Sequence, residues 1–158
     1  MTQQVFTAGN QINYTYDNIG QLRTALGHES GGTTPRLQEQ FGYGYDAAWN
    51  LNFRTNYAMI EAFGVNDLNE LSNSTATGLA TPVIAGMTTS PATNVTVNGT
   101  AVPIYRDSTF ATTNVLLTSG WNNIRAESFD NYARTATTSI EVYVAGNATY
   151  EYEWRFVG

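Results

Sequence analysis

Along residues 12–22, INYTYDNIGQL, Tyr14 and Tyr16 alternate with Asn13 and Thr15. A period of two predicts a half-buried strand with one aromatic and one polar face. Asp17 predicts a turn, since its carboxylate can accept backbone N–H groups across it, and Gly20 supplies the positive φ that most residues avoid. Leu22 then points back to the buried face, so the stretch reads as a strand, a tight turn and a return strand.

The phrase recurs. YDNIGQL (16–22), YDAAWNL (45–51) and VNDLNEL (65–71) share one template: an aromatic or β-branched residue, Asp or Asn, two variable positions, a turn residue, a polar residue and Leu. Its defining positions are Tyr16, Asp17, Gly20 and Leu22, then Tyr45, Asp46 and Leu51, then Asn66 and Leu71. The copies start at residues 16, 45 and 65, and the longer first interval holds GHESGGTTP (27–35), which reads as an inserted surface loop. The alternating tyrosines are expected to fill the core of the repeat region. Asn66 replaces the acid in the third copy, so the recurring unit is a hairpin rather than a reactive group.

Polar and small residues displace this pattern at 72–81, SNSTATGLAT, which predicts a boundary. Beyond it, Val95 and Val97, then Asn98-Gly99, then Val102 and Ile104 form the strongest short hairpin signal of the chain. Phe110, Val115, Leu117, Ile124, Ala126, Ile140, Val142 and Val144 continue at inward-pointing parities between turn clusters at Ser119-Gly120 and Asp130-Asn131. Five or six strands with turns about every 10 residues predict a small β-sandwich. Tyr150, Tyr152, Trp154 and Phe156 then raise the aromatic alternation again. The chain therefore divides into a hairpin-repeat region at 1–80, a β-sandwich at 81–146, and a return strand at 147–158 with Tyr152-Glu153 in the Tyr-Asp place.

Composition narrows the function classes. Charged residues make up only 13% while Thr, Asn, Gly and Tyr are abundant, which suits strands and turns and predicts an all-β fold. All seven basic residues are arginines against 13 acids, and a net charge of −6 argues against a nucleic-acid partner. Without cysteine there is neither a disulfide framework nor a thiolate metal site. No apolar run approaches the roughly 20 residues of a membrane helix, and MTQQVFTAGN lacks the regions of a signal peptide. Five Asn-x-Ser/Thr sequons (Asn13, Asn73, Asn94, Asn98, Asn147) matter only in a source that glycosylates.

The Tyr-Asp, Gly, Leu order of YTYDNIGQL resembles the YD-repeat (RHS-repeat) family, over roughly residues 10–72 and 148–153. SPATNVTVNGTAV and the GWNNIRAESFDNYAR region are similar to an immunoglobulin-like β-sandwich found inside some bacterial YD-repeat proteins. The resemblance implies hairpin ribbons that spiral into a hollow shell in large secreted or surface polypeptides. The partners it implies are neighbouring repeats or further copies of the chain. Trp49 and Asn69 stand where the family has glycine, and Tyr132-Ala133 where a Gly-like turn is the norm.

Candidate chemistry is sparse. His28 is the single histidine, and Glu29 and Ser30 follow it in sequence, whereas a Ser-His-acid site needs convergence from separate elements. It reads as part of a solvated loop. Glu151 with Glu153, or Asp107 with Asp130, would offer two carboxyls for glycoside hydrolysis, but a solvent-facing row and turn anchoring are the simpler readings. Calcium at Asp107, Asp130 or Asn131 lacks EF-hand spacing. Trp49 and Trp121 both fall at predicted turns, where no core residue is needed, and are the candidate ligand-binding residues. The expectation is a non-enzymatic structural and interaction module, without cofactor or metal, from an extracellular or surface protein. The alternative is a carbohydrate-binding or adhesion module using its exposed aromatics.

Overall fold

A computed structural model describes residues 2–77, 81–89, 91–144 and 154–156. The chain is all-β, with antiparallel sheets and no helix among the described residues. It divides into two units, Met1–Leu79 and Ala80–Gly158.

The first unit is one seven-stranded meander: β1 (Thr2–Val5), β2 (Gln11–Tyr16), β3 (Leu22–His28), β4 (Pro35–Tyr45), β5 (Leu51–Asn56), β6 (Met59–Val65) and β7 (Leu71–Thr77), each paired to the next. The expected Tyr14/Tyr16 strand is β2. The stretch 27–35 is shorter as a loop than its composition suggests, because Gly27 and His28 belong to β3 and Pro35 opens β4 opposite His28. Most of the expected boundary at 72–81 is strand β7, an edge strand with both faces largely exposed, whose polarity reflects that exposure rather than a linker.

The expected tyrosine core does not form in this unit. Ala25 is its one buried hydrophobic residue among those described, whereas Tyr14 is half-buried and Tyr16 exposed. Within this unit a single sheet layer offers the tyrosines no second layer to pack against. Glycines tighten the lateral packing: Phe53 lies over Gly44 and Thr55 over Gly42 in the register pairs of β4 and β5, where any Cβ would collide.

The second unit contains β8 (Ile84–Met87), β9 (Asn94–Val97), β10 (Thr100–Val102), β11 (Thr109–Thr112), β12 (Gly120–Phe129), β13 (Thr135–Val144) and β14 (Trp154–Phe156). They form a five-stranded sheet, β10-β9-β12-β13-β14, and a two-stranded sheet of β8 and β11. Asn98 and Gly99 both take positive φ (48° and 78°) and join β9 to β10 in the two-residue hairpin that the sequence indicates. Both sheets contribute to one core of Ile84, Val95, Val97, Val102, Phe110, Val115, Ile124 and Val142. Trp154–Phe156, expected to return to the repeat sheet, instead pairs with β13, and the rest of the 147–158 return strand, with Glu151 and Glu153, lies outside the described residues.

Candidate functional site

The three repeat phrases form three superimposable turns. Asp17 Oδ1 accepts from the backbone N–H of Ile19 and Gln21 at 3.0 and 2.9 Å. Asp46 Oδ1 accepts from Ala48 and Asn50 at 2.9 Å each, and Asn66 Oδ1 from Leu68 and Glu70 at 2.9 and 3.0 Å. In each, the first residue's N–H donates to the carbonyl of the fifth, and the fourth donates back to the carbonyl of the first. The fourth residue is left-handed: Gly20 at φ 91°, Trp49 at 68°, Asn69 at 60°. This is a three-residue hairpin loop closed by a bulge, and the registers of β2/β3, β4/β5 and β6/β7 each shift at that point.

A fourth copy sits in the second unit. Asp130 Oδ1 accepts from Tyr132 and Arg134 at 2.8 and 3.0 Å, and Ala133 takes the left-handed position at φ 58°. The sequence FDNYAR disguises it, since neither a glycine nor a returning leucine is present. What all four share is an Asx oxygen placed to hold two N–H groups, together with a backbone that reverses at the fourth residue. Because a non-glycine pays roughly 1–2 kcal/mol for that conformation, Ala133→Gly should stabilise the second unit by about 0.5–1 kcal/mol after the added chain entropy, read from its denaturant midpoint.

Only three of these turns lie in the repeat sheet, all at one end of it, about 10 Å apart because two strand spacings separate them. Gln21 Nε2 donates to Trp49 O at 3.4 Å, and Asn50 Nδ2 to Asn69 Oδ1 at 3.1 Å, so the fifth residue of each turn reaches the fourth residue of the next. Ile19, Trp49 and Leu68 project from this row, all exposed, Trp49 at 69%. Trp49 borders a cleft of about 440 Å³ that also takes in Arg23, Tyr43, Asp46 and Phe53.

Trp121 is not at a turn. It lies in β12 opposite Tyr143 of β13, and their rings meet edge to face with centroids 5.3 Å apart. It is exposed at 54%, because the alternation of β12 turns Ile124 inward and Trp121 outward. These two tryptophans belong to separate units.

The acids are anchored in local structure. The side-chain amide of Asn50, 3.0 Å from Asp46 Oδ2, and the backbone N–H groups of Asn50, Ala48 and Trp49 hold the Asp46 carboxyl below its ordinary 3.8. At Asp130, partial desolvation acts upward but is outweighed by the N–H groups of Arg134 and Tyr132 and by the Arg134 guanidinium, so this carboxyl is also lowered. A lowered folded-state pKa contributes stability in full above the unfolded value and loses it as pH falls through the folded value. Acid titration should therefore loosen the Asp46 turn below pH 3.8, as followed by the amide shifts of Ala48 and Asn50. Asp107 holds the N–H and hydroxyl of Thr109 at 3.2 and 2.7 Å. Among the described residues no group of three His, Asp or Glu side chains is arranged to hold a metal ion.

His28, expected in a solvated loop, is a half-buried strand residue whose Nδ1 lies 3.1 Å from Leu26 O. Ser30 lies in the following loop and Glu29 points elsewhere, to Arg36. Arg36 is the polar centre that the sequence does not announce. Its side chain is 1% exposed, with Nη1 2.5 Å from Glu29 Oε1. Nε approaches Glu39 Oε1 at 2.9 Å, a charge contact without hydrogen-bond alignment. Gln40 Nε2 braces the same strand end by donating to Gly27 O at 2.6 Å and to Arg36 O at 3.0 Å.

Compared with family models, curated proteins and solved structures, the chain matches none. The turn geometry therefore rests on this chain's own residues.

Proposed function

We propose that this chain is a non-enzymatic structural and interaction module, a segment of a YD-repeat array that carries a second, immunoglobulin-like unit within a secreted or surface bacterial polypeptide. The observation that supports it best is the row of Asp17, Asp46 and Asn66 turns: one backbone device, used three times, linked side by side and leaving the sheet open at both edges among the described residues. β1 and β7 carry no proline or lysine to blunt them, and such edges suit continuation into further hairpins. The role of the acid is to order a turn, so the module works by building a scaffold and presenting loops.

Hydrogen exchange on β7 tests this. In the isolated chain the Leu71–Thr77 amides facing outward should exchange rapidly, and in the longest natural polypeptide containing the chain they should be protected by a neighbouring hairpin. Equal, rapid exchange in both would contradict the repeat-array reading.

A second reading rests on Trp49 and Trp121, large rings left in solvent at 69% and 54%. Exposed indoles stack on sugar rings, so the alternative is a carbohydrate-binding or adhesion module. Quenching of tryptophan emission by a soluble oligosaccharide, lost in Trp49→Ala or Trp121→Ala, is its expected signature. No quenching across a broad panel would remove it.

A further inference from the structure

We infer that Asn98 is a site of spontaneous deamidation that the folded second unit keeps closed, so that conversion at this residue marks chains whose second unit has opened. This is a covalent change in the second unit and is independent of the repeat reading.

Asn98-Gly99 is the one Asn-Gly pair of the chain. In such a pair the glycine's backbone nitrogen, having given up its proton to solvent, attacks the side-chain carbonyl carbon Cγ. A new N–C bond closes a succinimide ring, the Cγ–Nδ2 bond breaks, and Nδ2 takes up a proton and leaves as ammonia. Water then opens the ring to aspartate or isoaspartate, so the reaction consumes only water and turns an amide into a carboxylate. Glycine favours the attack because no side chain shields its nitrogen, and the space beside Gly99 is open out to 4 Å. Asn98 is exposed and its Nδ2 has no protein partner among the described residues, so solvent reaches the departing group.

What restrains the reaction is the grip of β12 on the turn. Asn98 Oδ1 accepts from the backbone N–H of Arg125 at 2.8 Å, and the Asn98 N–H donates to Arg125 O at 2.8 Å. β12 flanks β9 on one side and β10 on the other, so these two bonds draw the side-chain carbonyl toward β12 while Gly99 carries the backbone toward β10. Attack requires Oδ1 to leave Arg125 and Cγ to swing toward the Gly99 nitrogen. The anchor is not released cheaply. Val97, the preceding residue, is 1% exposed, pairs with Ala126 of β12 and belongs to the core with Phe110 and Ile124. Parting β9 from β12 at this end therefore exposes that core, and the reactive geometry becomes available when the unit opens.

The experiment holds the whole chain at mildly alkaline pH across a guanidinium chloride series and measures conversion of Asn98 by peptide mapping. A free peptide of residues 94–102 in the same solutions supplies the unrestrained rate. Without denaturant the chain should convert at least about tenfold more slowly than the peptide, and the gap should close in step with loss of the β9 and β12 amide signals. Phe110→Ala, which leaves Asn98 and Gly99 untouched, should move the unfolding transition and the rise in conversion together to lower denaturant. A folded chain that converts as fast as the peptide would overturn the inference, as would an unfolded chain that keeps Asn98 intact. A rate that climbs before the β9 and β12 signals are lost would also overturn it, since the turn would then release Asn98 on its own.

Discussion

Arg36→Ala is expected to destabilise the first unit by about 3–5 kcal/mol, the usual cost of removing one partner from a buried charge cluster. The guanidinium is almost wholly enclosed, and without it Glu29 and Glu39 would face each other across the space it leaves, each only partly exposed. The loss is large because this unit has so little else in its interior: Asn10, Ala25 and Arg36 are its buried side chains among the described residues. Arg36→Met should recover part of it by filling the volume, yet not all, because the two carboxylates lose the guanidinium between them. A urea titration followed by tyrosine fluorescence or amide shifts of β3 and β4 reads the difference. An alanine variant within about 0.5 kcal/mol of wild type would show that the cluster is ornamental.

Phe110→Ala should cost the second unit about 3–5 kcal/mol, the range for emptying a buried phenylalanine site. Phe110 is central to the one core that both sheets of this unit share. Gly86, its register partner on β8, leaves room for the ring: a Cβ there would sit 2.5 Å from a ring carbon. The vacated space would open into the cleft of about 330 Å³ that Phe110 already borders, so the site has little means of collapse. Because the chain divides into two compact units, the expected result is selective. Amide signals of β9, β12 and β13 should broaden or unfold at lower urea, with those of β2 to β6 unchanged. Simultaneous loss in both units would mean that they share one cooperative core.

Much of this fold is legible in the residues because its rules are local. Alternation announces β2, and an Asn-Gly pair announces the β9/β10 hairpin, since each acts through its immediate neighbours. The Asp130-Asn131 turn is legible, but its identity with the repeat turn is not, since the glycine and the returning leucine of the template are absent and Ala133 takes the left-handed place at a cost. Trp121 escaped because Ser119-Gly120 looks like a turn, and only pairing with β13 shows that Gly120 already begins a strand. Arg36 was illegible for a different reason. An arginine in a polar stretch is ordinarily solvated, and its burial depends on Glu29 and Glu39 arriving from either side of the β3/β4 connection. Strand β7 was hidden by its own exposure, since an edge strand without a buried face writes no hydrophobic pattern.

The claim that the Tyr-Asp phrase is a folding unit and not a chemical site is most directly tested at Asp17, by comparing Asp17→Asn with Asp17→Ala in the unfolding free energy of the first unit. Asn66 already makes both turn bonds with an amide oxygen, at 2.9 and 3.0 Å. The asparagine variant should therefore stay within about 0.5 kcal/mol of wild type, while alanine, which abandons two backbone N–H bonds, should lose about 1–2 kcal/mol. An asparagine variant as damaged as the alanine one would show that the charge itself is required, and would contradict the turn as the reason for the repeat.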